Sequence, residues 1–544
     1  MVPFDAATVA AYRAQGLWRD QTLHDVFAAN AAANPGRLAL VDAPNRAAFA
    51  HGEPRRFDYA GLAALVDRLA AVLLGQGLAR DDVMLVQMPN IHELIVLYLA
   101  AARLGVVVSP VPVQYRHGEL GQIVETLRPK AFCTTARFAG LFLDHVPFSG
   151  RVLVFGPGAP TGAVCLDEAT GDPVLLDAAP RPGADDIVTI CWTSGTEGRP
   201  KGVPKTHNNW MSSGRGLPRA ARLQPGDVIL VPFPVINAAS IGGLFTPWLG
   251  TGGTLVLHHP FDIDVYLGQI RDEGVHYTIA APALLTAILQ KGGDGGRLGR
   301  LRVLGTGSAP PDPWMMRRFE ERFGIPVINF FGSNEGILLC ADADMIPDPE
   351  TRARLFPRVG DDSWPGHGET VNGGAIRLVD AETGERVTTP GRVAEMRING
   401  PSLLPGYYRP DGFERSGFDD DGFFRTGDLF EITADGGHIR FVGRSKDLIV
   451  RGGMKIAPAE LDALLSSHPK MREAAVASFA DERLGERVCA FVVPKAGEQV
   501  TLDDLCAFLE EKGLARFKWP EKLVVMEALP RNALAKLVRS QLRA

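Results

Sequence analysis

Cysteine is scarce, with six in 544 residues, and Cys133, Cys165, Cys191, Cys340, Cys489 and Cys506 stand far apart in the chain. A disulfide framework and a zinc knuckle both need closely spaced pairs, so neither is expected, and the cysteines read as buried small hydrophobes. An excess of charge of one sign is also missing: 57 basic residues face 63 acidic ones, for a net charge of -6. No basic block is present to neutralise a phosphate backbone, which argues against a nucleic-acid partner. Long apolar runs are lacking too. The best, Leu94 to Ala102, ends at Arg103 and falls far short of the roughly 20 residues that span a bilayer, so no membrane span is expected. Met1 to Arg13 has neither the basic start nor the apolar run of a secretory leader, which predicts a cytoplasmic protein. What is there, 46% hydrophobic and 22% charged residues, is the composition of a globular protein with a large core. The length predicts three or four compact units.

The pattern along the chain is that of an α/β protein. Tyr59 to Leu78 reads as an amphipathic helix, Asp82 to Met88 as a strand, Ile91 to Leu104 as a helix and Gly105 to Val111 as a strand. The same alternation returns in Gly274 to Ile279 (strand), Pro282 to Gln290 (helix), Arg302 to Leu304 (strand), Pro313 to Phe323 (helix) and Ile325 to Phe331 (strand), predicting a body of parallel sheets covered by helices. From about Gly391 the segments shorten to Val393–Ile398, Phe423–Thr426 and His438–Val442, predicting a small antiparallel β unit. After Gly443, helices at Pro458–Ser466 and Leu502–Lys512 alternate with strands at Glu473–Phe479, Val488–Pro494 and Lys522–Val525, enough for one small α+β domain. The glycine-rich patch Gly292 to Gly299 reads as a loop.

The strongest chemical signal is Thr193-Ser194-Gly195-Thr196-Glu197-Gly198-Arg199-Pro200-Lys201-Gly202, directly after the apolar strand Ile187 to Trp192. Glycines let backbone N–H groups approach phosphate oxygens, hydroxyls add donors, and a lysine adds a mobile positive charge. Such a loop also forms a plain turn. It is not the Walker loop, because the chain has no Gly-Lys dipeptide. Gly-x-Ser-x-Gly and His-Glu-x-x-His are absent as well, and neither Gly156-Pro157-Gly158 nor Gly305-Thr306-Gly307 carries the third glycine of a dinucleotide turn. Glu335 follows a strand of the parallel set, where a hard carboxylate can hold magnesium against phosphate oxygens, or simply face solvent. Phe331 can stack on a base or fill a core; Asp428 can accept from two hydroxyls or close a turn.

The loop resembles the phosphate loop of the AMP-forming acyl-adenylate superfamily. The resemblance continues in order through Phe331-Gly332-Ser333-Asn334-Glu335, Arg425-Thr426-Gly427-Asp428, Gly443-Arg444-Ser445-Lys446-Asp447, Gly453 with Pro458 and Glu460, and Lys536. It implies a large N-terminal adenylate-forming domain at 1–443 and a small mobile C-terminal domain at 444–544 that rotates between half-reactions. ATP or AMP would be bound by Thr193, Ser194, Gly195, Thr196, Gly198 and Lys201 around the phosphates. Phe331 would stack on the adenine with the turn carrying Gly307, Ser308 and Ala309 on its opposite face. Phe330, Gly332, Asn334 and Glu335 would also bind the nucleotide, Asp428 would take the ribose, and Arg444 would reach the nucleotide from the domain junction. Glu335 and Thr193 would hold Mg2+. Lys536 would be the catalytic lysine of adenylation, a point cation against the charge of the transition state. Lys446 would be the hinge and Gly453 part of the thiol channel. Asn237, Ala238, Ser240, Gly305, Gly307 and Ile337 would line the acid pocket.

The reaction implied is attack of a carboxylic acid on the α-phosphate to give acyl-AMP and pyrophosphate, then thioester formation with coenzyme A. Asn237 stands where amino-acid-activating relatives have aspartate, so no carboxylate is present for an α-ammonium group. Tyr12 to Trp18, Pro89-Asn90-Ile91 and Thr206-His207 are similar to enzymes of the 2,3-dihydroxybenzoate and salicylate type, which favours an aryl or cyclic acid. Small residues such as Ala239, Gly242 and Gly243 leave a medium-chain acid open. A carrier protein is the alternative acceptor, and a homodimer is left open. The second function class is a catalytically impaired nucleotide-binding regulator, because Ala535 and Asn334 depart from the family pattern.

Overall fold

A computed structural model describes residues 1–194, 200–291, 298–359, 372–531 and 537–544, with Leu141, Ser194 and Lys291 described by backbone alone. Contacts divide the chain into two compact units, residues 1–375 with 398–423 and residues 376–397 with 424–544. The length alone predicts more. The first unit stays one body because a single apolar core draws Met84 and Val86 from one of its sheets and Ile229, Val231 and Leu255 from the other. Helices Tyr59–Gly75 and His92–Leu104 supply the rest of that core, including Leu62, Val66, Leu97 and Leu99.

Among the described residues, one sheet of the first unit has eight strands and the other nine. In the eight-stranded sheet the neighbours Val228–Val231, Thr254–Leu257, Tyr277–Ala280, Val303–Thr306 and Val327–Gly332 run parallel, and Leu338–Ala341 turns back antiparallel at one edge. The nine-stranded sheet is parallel through Val83–Gln87, Val107–Pro110, Ala131–Thr135 and Arg151–Phe155. Beyond Ile187–Ser194 it becomes antiparallel, through Pro200–Thr206, Tyr407–Arg409 and Gly412–Glu414. Helix ends follow local chemistry: Asp312 accepts from the N–H of Trp314 ahead of Pro313–Phe323, and Gly324 closes that helix in the left-handed conformation. Among the described residues, no helix is long and apolar enough to cross a membrane.

In the second unit, Ala375–Val379, Val393–Asn399, Phe424–Ile432 and His438–Arg444 are neighbours in one sheet, the last two antiparallel, and extend beyond the three short segments expected. The contacts therefore group residues 424–443 with the C-terminal sequence, whereas the boundary at 443/444 concerns motion and returns below as a proposal. The remaining sheet is built on Met471–Asp481 and Gly485–Pro494, with Lys522–Val525 parallel to the latter. Its alternation divides two cores: Val476, Val488 and Ala490 meet Leu461, Leu465, Leu505 and Leu509 from the helices Pro458–Ser466 and Leu502–Glu511, while Ala475, Cys489 and Phe491 meet Leu529 and Leu542. Cys133, Cys191, Cys340 and Cys489 are buried and Cys165 and Cys506 half-buried, all as free thiols.

Candidate active site

Strand Ile187–Ser194 does not simply end in a loop. The chain returns as Pro200–Thr206 in register, so Thr193 lies opposite Lys201 at the base of a hairpin. The tip, with Gly195, Thr196 and Gly198, lies outside the described residues, as does most of the 292–299 patch. The Lys201 Nζ sits 4.9 Å from the ring centroid of Tyr407, a cation over a π face.

Strand Val327–Gly332 ends in the turn that carries Asn334 and Glu335 before Leu338–Ala341 returns. Asn334 ties three segments together. Its Oδ1 accepts from the N–H of Ala238 at 2.8 Å, and its Nδ2 donates to the carbonyl of Trp192 at 3.3 Å. The departure from the family pattern at this position thus joins the 237–240 segment to the end of strand Ile187–Ser194. Glu335 is gripped from behind: its carbonyl accepts from the N–H of Leu404 at 2.8 Å and from Lys205 Nζ at 3.1 Å. The Tyr407 hydroxyl donates to Glu335 Oε1 at 3.0 Å. Among the described residues, Oε2 accepts no hydrogen bond. A carboxylate with one oxygen fixed and one left over suits a hard divalent cation. Gly336, at φ +133°, must be glycine, because a Cβ would lie 2.2 Å from the carbonyl oxygen of Ser402.

Lys205 is fully buried, and its ammonium also donates to the carbonyl of Ser402. Burial drives its pKa down to about 7, against the opposing pull of Glu335. Neither Lys205 nor Tyr407 was singled out by the sequence. The one available signal is the Gly406-Tyr407-Tyr408-Arg409-Pro410 run, whose aromatics flank a short strand between glycine and proline.

In the acid segment, Asn237 Oδ1 accepts from the N–H groups of Ala239 and Ser240 at 3.1 and 3.2 Å, capping a short helix. Ser240 is buried and its hydroxyl donates to the carbonyl of Pro234 at 2.7 Å, so it stabilises the segment from inside. The chain continues through a π-helical turn, Ile241–Phe245, a conformation frequent at functional sites. Gly243 and Gly305 both face Ile279, and Gly305 also faces Phe330. A Cβ on Gly243 would stand 2.8 Å from Ile279 Cδ1, and one on Gly305 would stand 2.6 Å from Phe330 Cε2 and 3.0 Å from Ile279 Cγ1. Gly307 is as close to the backbone of Phe330, at 2.8 Å from its carbonyl oxygen. Ser308 (φ +72°) and Ala309 turn outward to solvent, Ile337 is buried, and Phe331 meets the edge of Phe356 at 6.2 Å.

Within the second unit, Asp428 lies inside the strand Phe424–Ile432, paired with Arg444. Its side chain is buried and accepts from Arg444 Nε at 3.0 Å. Thr426 Oγ1 accepts from the N–H of Asp428 at 3.0 Å and donates to the carbonyl of Met396 at 2.5 Å, and Glu395 Oε1 accepts from the N–H of Gly427 at 3.0 Å. The sequence's candidates for the ribose and for the nucleotide at the domain junction are thus brought together on one ribbon. Lys446 is exposed in the 3-10 turn Ser445–Asp447. Gly453, at φ +84°, stands at a hairpin tip with open space around it. Lys536 lies outside the described residues.

Comparison with known proteins agrees with this layout. A model of the AMP-binding enzyme family matches residues 27–408, and one of the AMP-binding enzyme C-terminal domain matches residues 460–536. The medium-chain fatty-acid–CoA ligase of Escherichia coli K12 is 31% identical over 555 residues, 99% of this chain and 93% of that protein. The salicyl-AMP ligase / salicyl-S-ArCP synthetase of Mycobacterium tuberculosis H37Rv is 31% identical over 562 residues, 98% of this chain and 93% of that protein. Among solved structures, ATP-bound MatB from Rhodopseudomonas palustris aligns with a TM-score of 0.79 at 27% identity, over 96% of this chain and 98% of its own. The order of motifs, the two-sheet body and the family match over most of the chain converge: this protein belongs to the AMP-binding enzymes, the AMP-forming, acid-adenylating ligase superfamily.

Proposed function

We propose that this chain is an AMP-forming carboxylic acid–CoA ligase acting on a compact aryl or cyclic acid. An acid oxygen attacks the α-phosphorus of ATP, the bond to the bridging oxygen breaks, and pyrophosphate leaves. The coenzyme A sulfur then attacks the acyl carbon, AMP departs, and the thiol proton passes to solvent. Positioning and electrostatics suffice for both steps, with no protein nucleophile. The observation that carries the reading is the Asn334–Glu335 turn, whose amide is bonded to both the acid segment and the end of the phosphate strand.

In this reading Lys201 and Thr193 face the phosphates, Glu335 with Thr193 holds Mg2+, Asp428 receives the ribose, Arg444 reaches the nucleotide, and Lys536 stabilises the pentavalent transition state. Bound Mg2+ supplies charge neutralisation on the phosphate oxygens. Lys446 is the pivot of a small domain at 444–544 that withdraws Lys536 and presents Gly453 to the thiol. The acid class is supported by the close packing of Ile279 against Gly243 and of Ile279 and Phe330 against Gly305, which favours a compact acid over a long aliphatic tail. Amino acids are disfavoured because Asn237 brings no carboxylate for an ammonium group.

The test is ATP-dependent pyrophosphate release across benzoic, hydroxybenzoic, cyclohexane-type and C4 to C12 aliphatic acids, with and without coenzyme A. Turnover that rises with coenzyme A and selects the compact cyclic acids is the expected result. Release that stalls near one equivalent identifies a carrier protein as the acceptor, the reading that the carrier-loading relative favours. Nucleotide binding with no release on any acid identifies a regulator.

A further inference from the structure

Tyr407 touches two of the residues that the function needs and belongs to no segment that the sequence singled out. Its hydroxyl lies 3.0 Å from Glu335 Oε1 and its ring centroid 4.9 Å from Lys201 Nζ. The backbone fixes this placement, because Tyr408 pairs with Gly202 on the strand next to Lys201. Tyr407 is buried, and its hydroxyl donates to the carboxylate.

The Lys201 ammonium lies over this ring and the Glu335 carboxylate at its hydroxyl, and among the described residues Lys201 forms no ion pair. A lysine paired with the metal-binding carboxylate would be lost to the phosphates, and the carboxylate would be lost to the cation. We propose that Tyr407 is a positioning residue for metal–nucleotide binding: its ring carries the Lys201 ammonium, its hydroxyl anchors one oxygen of Glu335, and together they keep the two charges from neutralising each other. Glu335 Oε2 is thereby left for a divalent cation and Lys201 for phosphate oxygens. This inference rests on the assignment of Glu335 and Lys201 given above.

The experiment is calorimetric ATP binding in EDTA and in saturating Mg2+, with Mn2+ binding to the ATP complex followed by electron paramagnetic resonance. Tyr407→Phe keeps the ring and loses the hydroxyl. It should lower the gain in ATP affinity brought by Mg2+, and the Mn2+ affinity, about tenfold, as for one hydrogen bond to a charged group, with binding in EDTA unchanged. Tyr407→Leu loses the ring as well and should also weaken ATP in EDTA by about tenfold, because Lys201 is then free to pair with Glu335. A wild-type Mg2+ response in Tyr407→Phe overturns the proposal, as does a uniform loss with and without metal. Glu335→Gln separates the two levels. If it leaves the metal response intact, the assignment of Glu335 falls; if it removes the response while Tyr407→Phe does not, only the role of Tyr407 falls. Should the leucine variant not fold, the phenylalanine variant decides alone.

Discussion

Asn334 shows how much one side chain can join. Its amide satisfies the N–H of Ala238 and the carbonyl of Trp192, so Asn334→Ala leaves two backbone groups without their partner, each costing about 1–3 kcal/mol if water cannot reach it. Because those groups lie on the acid segment and the phosphate strand, KM for acid and KM for ATP should rise together, by about tenfold. Steady-state kinetics in both substrates checks this, and a change confined to one of them refutes the bridge. Asn237 invites the opposite test. Its Oδ1 caps the helix that opens the acid segment, and aspartate caps equally well. Asn237→Asp should therefore keep the melting temperature within a few degrees while raising KM for the acid alone, since a second negative charge repels an anionic substrate. The sequence singles out Asn334 and Asn237 as candidates, but not the geometry around them. Asn334 reads as a departure until its two partners, more than ninety residues away, are in view. Lys205 and Tyr407 act through contacts 130 and 72 residues distant along the chain, which no local pattern records.

The candidate site is built on short segments clamped by their neighbours. The turn after Val327–Gly332 is closed by Ser333 N–H donating to the carbonyl of Ile337 at 3.2 Å and pressed onto the 402–404 segment through Gly336. Gly336→Ala adds a Cβ 2.2 Å from a carbonyl oxygen at a backbone angle that L-residues avoid. It should cost about 3 kcal/mol or more and abolish acid-dependent pyrophosphate release, whereas Gly453→Ala, with the same kind of φ but open space, should cost only about 1 kcal/mol. Chemical denaturation of the two variants side by side measures the difference. Two helices with a proline start were readable to the residue, Pro313–Phe323 and Pro458–Ser466, and a third, Pro282–Lys291, runs one residue past the expected end. The return strand Pro200–Thr206 was not, because its proline, glycine and lysines lack the alternation of a strand and it owes its place to pairing with Ile187–Ser194. The stretch from Phe423 to Thr426 was read too short for the same reason. Gly427, at φ +70°, looks like a turn but is carried within the longer strand Phe424–Ile432.

At the scale of the whole molecule, buried titratable groups set the response to acid. His207 is fully buried and its pKa is lowered by burial from 6.5 to about 4. The unfolded chain therefore binds its proton first as pH falls, and stability is lost between about 6.5 and 4, by an amount of order 3 kcal/mol for this one group. For Asp42, burial pushes the carboxyl up but His92 and Arg46 outweigh it; for Asp186, Arg80 and the N-terminal ammonium do the same, so both carboxyls lie below their ordinary values. Their contribution is present above the unfolded value and disappears as pH falls through the folded one, adding to the loss in the same direction. Urea midpoints measured from pH 7 down to 4.5 should fall steadily, and a flat profile contradicts these burial effects. The last expectation concerns motion. Two half-reactions at one nucleotide need two arrangements of catalytic groups, and Lys446 sits exposed in the three-residue turn Ser445–Asp447, where a change of backbone angle disturbs no core. Proline at this position fixes φ near −65° and restricts Ser445 before it. Lys446→Pro should leave acid-dependent pyrophosphate release in its first turnover nearly intact and slow thioester formation from preformed acyl-adenylate by at least about tenfold. Lys536→Ala should do the reverse. If Lys446→Pro slows both half-reactions equally, the turn is a structural joint and the pivot lies elsewhere.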